Sequence, residues 1–342
     1  MPDRVAPELM RTSALLRQLL PSLLGLLLAG CPGAASRELC PSEAAAAASS
    51  PATSSATAAA CPSAPAPPAA WPIAGFAAEA NAKLARFLAE AGRESGRKVA
   101  VFDGDGTVLG QAPHYLADEC LYAFAKQHPE RKPELIAEMV KQSNVSLPYV
   151  QNRVRYLAGM SVSAVREMGE RCFRELYPDK IFAPMRELIA QLQAHGFEVW
   201  IVSASPEALY QGFLSRAFGI PITHVLGVKS VVRGGLITEE MVAPIPQDAG
   251  KKEALETFIG AEPLVVAGNS RGDKEMIEWS RGLRIIVNPD EFVAPDQTES
   301  VADYARRNGW LVLRIRDVPS PSFPAISSKQ FGVSTNKPRD VP

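Results

Sequence analysis

The sequence has almost no net charge and no long uninterrupted hydrophobic run. Its 36 Lys and Arg residues balance 37 Asp and Glu residues, so the formal charge at pH 7 is −1. Surfaces that bind nucleic acid are typically basic, and this balance gives no reason to expect nucleic acid as a partner. The apolar stretch at residues 19–28 is too short for a comfortable membrane span, which takes about 20 residues. The length and the remaining composition are those of an ordinary soluble protein with one or two domains.

Residues 1–31 have the layout of a targeting segment. Three arginines precede the apolar stretch, which ends in Leu28-Ala29-Gly30-Cys31. This ending resembles the lipobox of bacterial lipoproteins, in which the peptide is cleaved before a cysteine that carries lipid. The alternatives are an ordinary signal peptide or a short buried helix, and Met10 is a second possible start. The resemblance predicts a lipid on Cys31, contact with the membrane through that anchor, and a place in the bacterial envelope. Pro32, not Asp, follows the cysteine, and by resemblance to enterobacterial lipoprotein sorting this mildly favours the outer membrane, facing the periplasm.

The composition changes at both ends of the chain. Residues 32–70 are mainly Ala, Pro and Ser, which cannot bury enough apolar surface to offset the entropy of ordering. They are therefore predicted to form a disordered tether, and whether Cys40 and Cys61 pair within it stays open. Residues 71–318 are predicted to form the folded domain. Residues 319–342, rich in Pro and Ser, are predicted to be a loose tail.

The stretch from Val99 to Thr107 places two carboxylates where a strand ends. The apolar residues 99–102 are followed by Asp103-Gly104-Asp105-Gly106-Thr107, which predicts a buried strand and then a tight glycine turn. In parallel α/β sheets, functional groups lie just beyond the carboxyl ends of the strands. The other interpretations are an acidic surface turn or part of a calcium loop. A calcium loop would need further oxygen ligands and a closing glutamate, which this stretch lacks.

Three later stretches add polar residues at comparable places. An apolar strand at 198–203 ends in Ser203, Lys251 stands near the start of an amphipathic helix, and a strand at 264–268 runs into Asn269-Ser270-Arg271-Gly272-Asp273. Taken in this order with the first stretch, they resemble the haloacid dehalogenase (HAD) superfamily. The resemblance covers roughly residues 73–318. It is closer to the phosphoserine-phosphatase-like branch, which includes phosphocholine phosphatases.

The order of the apolar segments predicts an α/β fold. Segments at 99–103, 198–203, 264–268, 284–287 and 310–315 alternate with helices and predict a parallel sheet of about five strands with helices on both faces. Residues 225–237 predict a hairpin with a glycine turn. About ninety residues after the first strand have helical patterning, with helices expected at 115–127, 133–142, 148–158 and 161–176. The resemblance implies that they form a helical cap over about residues 110–180.

The resemblance implies phosphatase chemistry on the two strand-end aspartates. Asp103 would be the nucleophile that forms an aspartyl-phosphate, which splits hydrolysis into two easier steps. Asp105 would protonate the leaving oxygen and then activate water, for which its pKa should be raised.

The phosphate would be held by hydroxyl and ammonium groups. Ser203 and Thr107 are candidates, although a serine at this place also caps helices. Lys251 would pair with both the phosphate and Asp103 as a compact charge. Lys252 is the nearby alternative, and a lysine at a helix start is often simply solvated.

The implied cofactor is Mg²⁺, which favours oxygen ligands. Asp103 would offer its carboxylate, Asp105 its backbone carbonyl, and Asp273 would act from the second acidic position. The chain departs from the usual pattern at Asn269, where the family has an aspartate. We expect Asn269 to keep coordination through its amide oxygen and to weaken the affinity for the metal.

The predicted cap should select the substrate. Its candidates combine carboxylates, which suit a cationic group, with arginines, which suit an anionic one: Asp118, Glu119, Arg153, Arg155, Tyr156 and Arg166. Cys120 and Cys172 lie on two predicted cap helices and could form a disulfide, or they could both be buried thiols.

The sequence is thus interpreted as an envelope-anchored, Mg²⁺-dependent phosphatase acting on a small phosphorylated metabolite. The alternatives are a catalytically silent lipoprotein that uses this fold for binding, which Asn269 favours, and a phosphotransferase with an acceptor other than water. Neither the phosphomonoester nor the oligomeric state can be read from the sequence.

Overall fold

A computed structural model of the chain describes residues 71–319, 331–332 and 339. They form an α/β fold, as predicted, with a mostly parallel sheet flanked by helices. Among these residues, every helix is too short or too polar to cross a bilayer.

The predicted lipoprotein features lie outside the described residues. These are the targeting segment at 1–31 with Cys31, and the tether at 32–70 with Cys40 and Cys61.

The described residues form a seven-stranded sheet. The strands are β1 (Lys98–Asp103), β2 (Phe197–Pro206), β3 (Val225–Arg233), β4 (Leu236–Val242), β5 (Val265–Gly268), β6 (Leu283–Val287) and β7 (Leu311–Leu313). Their order across the sheet is β4-β3-β2-β1-β5-β6-β7, and all neighbours are parallel except β3 and β4.

The predicted count of about five strands is wrong because the hairpin at 225–237 is part of this sheet. The first half of β3 is buried and pairs in parallel with β2, through Val225 opposite Ile201 and Leu226 opposite Val202. The second half is more exposed and pairs with β4 across the Gly234-Gly235 turn. One long strand therefore serves both the sheet and the hairpin.

Helices cover both faces of the sheet. The helices of the core are α1 (Ala78–Ala91), α6 (Ala183–Ala194), α7 (Glu207–Phe218), α8 (Ala249–Ala254), α9 (Lys274–Glu278) and α10 (Val301–Arg307). Consecutive side chains of a strand point to opposite faces, so Ala100 and Phe102 of β1 belong to one apolar cluster, and Val99 and Val101 to another. All four are fully buried, which explains why β1 is apolar throughout instead of alternating.

Four helices follow β1, close to the predicted positions. They are α2 (Leu116–Gln127), α3 (Pro133–Met139), α4 (Leu147–Leu157) and α5 (Val162–Leu176). Pro133 and Pro148 stand in the first turns of α3 and α4, where the missing N–H leaves no helical hydrogen bond unmade. A disulfide joins Cys120 of α2 to Cys172 of α5, with 5.8 Å between their Cα atoms. We refer to α2–α5 as the helical insertion.

The chain leaves the core for the helical insertion near Gly110 and returns to it near Lys180, and these two points lie side by side. The N–H of Gly110 donates to the carbonyl of Lys180 at 2.7 Å. The buried Asp317 carboxylate pairs with the Lys180 ammonium and accepts the N–H groups of Gln111 and Ala112 at 2.9 and 3.2 Å. A Cβ on residue 110 would lie 2.4 Å from the Asp317 Oδ1 atom, so this crossing requires glycine.

Two of the described residues beyond 319 contact the domain. Arg339 forms an antiparallel backbone bridge with Asp317, and the ring of Phe331 lies 5.2 Å from the ring of Tyr122 in α2. Most of the predicted tail lies outside the described residues.

Candidate active site

Polar side chains from β1, β2 and α8 meet at a cavity of about 380 Å³ between the sheet edge and the helical insertion. Asp103, Asp105, Ser203 and Lys251 all line this cavity. The parallel pairing of β1 with β2 and β5 brings their carboxyl ends to the same edge, as the sequence predicted.

The Lys251 ammonium joins two carboxylates beneath the cavity. Its Nζ atom donates to Asp103 Oδ1 and to Asp273 Oδ1, both at 2.6 Å, and all three side chains are buried. Burial lowers the pKa of Lys251, but the two carboxylates outweigh it and raise this pKa overall. Burial, reinforced by the neighbouring Asp273, raises the pKa of Asp103 to about 7, although Lys251 opposes the shift. The ionised trio carries one excess negative charge.

Asp105 is held by two hydroxyl groups of the core. Tyr210 of α7 donates to its Oδ1 atom at 2.8 Å, and Ser205 donates to its Oδ2 atom at 3.1 Å. Burial raises the pKa of Asp105 to about 6, although the hydrogen bond from Tyr210 and the nearby Arg153 lower it. A carboxyl group with this pKa can hold or release a proton near neutrality, as a general acid–base requires.

Thr107 and Ser203 differ in their contacts. The Thr107 hydroxyl is buried and donates to Asp103 Oδ2 at 2.9 Å, so it orients the aspartate. The Ser203 hydroxyl lines the cavity and accepts the N–H of Ser205 at 3.1 Å, which leaves its proton able to donate. Ser203 is therefore better placed than Thr107 to contact a phosphate oxygen.

Asp273 organises the loop after β5. Its Oδ2 atom accepts the N–H groups of Asn269 and Ser270 at 2.9 and 3.0 Å. The Asn269 side chain packs against Gly106, whose φ is 84°. A Cβ on residue 106 would lie 2.0 Å from the Asn269 amide nitrogen, so glycine is what permits this contact.

The donor set near Asn269 fits Mg²⁺. The loop brings the Asn269 amide beside the β1 turn, which carries the Asp103 carboxylate and the Asp105 carbonyl, and all of these can offer oxygen. The excess negative charge of the buried trio also favours a cation. Among the described residues there is no cluster of three His, Cys, Asp or Glu side chains arranged to bind a metal.

The insertion contributes a second buried ion pair. Arg153 donates from Nε to Asp118 Oδ1 at 2.9 Å, and Tyr149 donates to the same oxygen at 2.9 Å. The guanidinium also lies over the rings of Tyr149 and Tyr115, at 4.9 and 5.7 Å. Burial lowers the pKa of Arg153, but Asp118 outweighs it and raises this pKa overall. Arg153 lines the cavity, and Asp118 lies behind it, fully buried.

The other candidates on the insertion lie away from the cavity. Arg155 donates to Asn152, Tyr156 packs below Arg131, and Arg166 donates to Gln211 beside a separate, smaller cavity. Glu119 is buried and does not line the cavity.

Several residues that line the cavity or contact Asp105 are not predicted by the sequence. Ser205 could have been found, because it lies two residues after Ser203 on the same strand. Tyr210 carries no sequence signal beyond its place on a helix. The segment at 290–301, which contributes Asp290 and Phe292 to the cavity, has no regular pattern.

Comparisons with known proteins agree on the family. A model of haloacid dehalogenase-like hydrolases matches residues 100–278. A phosphoserine phosphatase of Mycobacterium tuberculosis is 26% identical over 234 residues, which cover 64% of this chain and 70% of that protein. A probable phosphatase of the same species is 31% identical over 183 residues, 50% of this chain and 59% of that protein. A functionally unknown protein from Anaerococcus prevotii matches in structure with a TM-score of 0.54 and 15% identity, over 72% of this chain and 96% of that one, which concerns the fold alone.

Proposed function

Because the chain belongs to the haloacid dehalogenase-like hydrolase family, we propose that it is a Mg²⁺-dependent phosphatase acting on a small phosphomonoester. The observation that carries the proposal is the joint placement of Asp103, Asp105, Ser203 and Lys251 around one cavity. The phosphatase names of the two mycobacterial relatives support the same class of reaction.

In the first step, a carboxylate oxygen of Asp103 attacks phosphorus and the bond from phosphorus to the ester oxygen breaks. Asp105 gives its proton to the departing oxygen. Lys251 and Thr107 hold Asp103 in place through hydrogen bonds to its two oxygens. Ser203 donates to a phosphate oxygen, and these positioned donors stabilise the charge of the transferred group.

In the second step, water attacks the aspartyl-phosphate and releases inorganic phosphate. Asp105, now ionised, takes a proton from that water as it attacks. The bond between phosphorus and the Asp103 oxygen breaks, which regenerates both carboxyl groups in their starting states.

Mg²⁺ would be held by Asp103, the Asp105 carbonyl and Asn269, with Asp273 ordering the loop that carries Asn269. When bound, the ion neutralises negative charge on the phosphoryl group.

A test of the whole proposal is the turnover of p-nitrophenyl phosphate by the protein without residues 1–31, with and without Mg²⁺. We expect Mg²⁺-dependent release of phosphate and its loss in Asp103→Asn. Turnover that survives this substitution would show that Asp103 is not the nucleophile.

A silent binding protein is the second candidate, because Asn269 removes one negative charge from the expected metal site. Calorimetry with Mg²⁺ and with BeF₃⁻ separates the two: an enzyme binds both, whereas the silent protein binds neither. Asn269→Asp should increase the Mg²⁺ affinity of an active enzyme, since carboxylates are stronger ligands for hard cations than amides.

The envelope location is also part of the proposal. The lipobox-like ending at Cys31 supports a lipid anchor, and the Cys120–Cys172 disulfide is typical of oxidising compartments such as the periplasm. Labelling of cells with a fatty-acid analogue should tag the wild-type protein and leave Cys31→Ser untagged. A tag on Cys31→Ser would contradict this assignment.

A further inference from the structure

The Tyr210 hydroxyl connects Asp105 with the helical insertion. Tyr210 belongs to α7 of the core, is 1% exposed, and packs beside the ring of Phe213. Its oxygen lies 2.8 Å from Asp105 Oδ1 and 3.2 Å from the backbone nitrogen of Ala117, in the first turn of α2.

These two contacts determine which way the hydroxyl proton points. A backbone N–H can only donate, so the Tyr210 oxygen accepts from Ala117, and its own proton is directed at Asp105. The first N–H groups of a helix have no partner within that helix, and the N-cap residue Tyr115 provides no side-chain hydrogen bond. The Tyr210 oxygen thus accepts a hydrogen bond from an N–H group that has no partner within α2. The same contact orients the Tyr210 proton toward Asp105.

The second oxygen of Asp105 is held in a similar way by Ser205, at 3.1 Å. With one donor on each oxygen, the carboxyl group has a fixed plane and position. A general acid must lie within hydrogen-bond reach of the atom that it protonates, so its contribution depends on this placement.

From this geometry we propose that Tyr210 is a positioning residue, assisted by Ser205, which holds Asp105 in line with the departing ester oxygen. The inference rests on the proposed function and deepens it. It assigns to α7 and to the first turn of α2 a part in the proton transfer of the first step.

The test compares two substrates of similar shape in the full chain with Mg²⁺. Phenolate leaves with difficulty unless it is protonated, whereas p-nitrophenolate is a much weaker base and needs little help from an acid. The quantity measured is kcat/KM for each substrate, because it reports the steps through phosphoryl transfer to Asp103. Tyr210→Phe removes the hydroxyl and keeps the ring.

We expect Tyr210→Phe to lower kcat/KM for phenyl phosphate about tenfold more than for p-nitrophenyl phosphate, a part of the roughly 10²–10⁴-fold that general acids contribute. Ser205→Ala should change the ratio of the two values in the same direction and by a smaller factor. It also tests the proposal should Tyr210→Phe fail to fold.

Tyr304→Phe is the matched control. The Tyr304 hydroxyl, on α10, also donates to a carboxylate, that of Glu278, and Tyr304 does not line the cavity. This variant loses a hydrogen bond of the same kind, and its ratio for the two substrates should equal that of the wild type.

The results distinguish a failure of the positioning role of Tyr210 from a failure of the proposed phosphatase function. An equal fall for both substrates in Tyr210→Phe, or no fall, overturns the positioning role, as does an unchanged ratio in Ser205→Ala when Tyr210→Phe does not fold. A wild-type chain that turns over neither substrate, or turnover that persists in Asp103→Asn, overturns the proposed function instead.

Discussion

Two buried charge clusters face the same cavity from opposite sides, and they are built differently. On the core side, Lys251 is shared by Asp103 and Asp273. On the insertion side, Arg153 is matched with a single carboxylate, that of Asp118. The core cluster keeps an excess of negative charge and can still bind other groups. The insertion cluster is balanced within itself, and its guanidinium also packs between two tyrosine rings.

This difference suggests that the two clusters should respond differently to substitution. Removing the cation of the balanced pair should mainly reduce stability. Removing the cation of the unbalanced trio should reduce activity as well as stability, because Asp103 loses the group that orients it and two buried carboxylates lose their partner.

Arg153→Met should strongly reduce stability. It leaves Asp118 charged and fully buried, which costs about 3–5 kcal/mol of unfolding free energy. Adding Asp118→Asn should restore a large part of this loss. Urea denaturation of the single and double variants measures both quantities.

Arg155→Met is the control for the same helix, since the Arg155 side chain is partly exposed and donates to its neighbour Asn152. The hydrogen bond from Lys132 to the Arg155 backbone carbonyl does not involve the substituted side chain. It should change stability by about 0.5 kcal/mol or less. Equal losses of unfolding free energy in Arg153→Met and Arg155→Met would mean that the buried Arg153–Asp118 pair contributes no more to stability than a partly exposed arginine.

Lys251→Met should lower kcat for p-nitrophenyl phosphate by about 10²–10³-fold, equivalent to about 2.7–4 kcal/mol, because one oriented charge at the reacting group is lost. Lys252→Met removes the adjacent charge, which is partly exposed and pairs with Glu256 at 3.0 Å. It should keep kcat within about twofold. Similar losses in both variants would contradict the separate role of Lys251.

Removal of the disulfide should have a somewhat smaller effect. Cys120 and Cys172 are 52 residues apart, and closing a loop of this length contributes about 2–4 kcal/mol by restricting the unfolded chain. Thermal unfolding of Cys120→Ala/Cys172→Ala should show a Tm lower by several degrees. A reductant should lower the Tm of the wild type and leave that of the variant unchanged; an effect on both would point to another target.

The smallest expected effect is on the pH dependence of the unfolding free energy of the metal-free protein. The folded pKa of Asp105, about 6, lies above the value near 3.9 of an unfolded aspartate. Its contribution to stability is therefore complete below about pH 4 and is lost as the pH rises through 6. Between pH 5 and 8 we expect a loss of about 1–2 kcal/mol, since one pKa unit equals about 1.4 kcal/mol.

The measurement is the unfolding free energy of the wild type and of Asp105→Asn at both pH values, in the presence of a chelator. The loss between pH 5 and 8 should be smaller in the variant by that amount. Parallel pH dependence in the two proteins would show that Asp105 carries no such linkage.

The core side of the cavity could be predicted because its residues follow strands. The carboxyl ends of parallel strands must meet, so the local patterns at Asp103 and Ser203 were enough to place both at one edge. Lys251 and Asp273 followed from their order in the chain and from the family resemblance. None of this required knowledge of side-chain contacts.

The insertion side could not be predicted to the same degree. Arg153 and Arg155 stand on the same helix, two residues apart, and only the packing of α4 decides which one faces the cavity. Tyr210 was missed for a related reason, since its hydroxyl matters through a contact with α2 that is 93 residues away in sequence. The strand count failed because β3 belongs to two pairings at once.

The crossing at Gly110 and Lys180 has a consequence for how this fold can vary. The segment between these residues begins and ends within one hydrogen bond of 2.7 Å, and Asp317 ties both ends to the chain after β7. A replacement segment of another length or composition would meet the same two end points, and the path of β1 and α6 would not change. The helical insertion can therefore be exchanged as a single module, while the residues at the edge of the sheet keep their places.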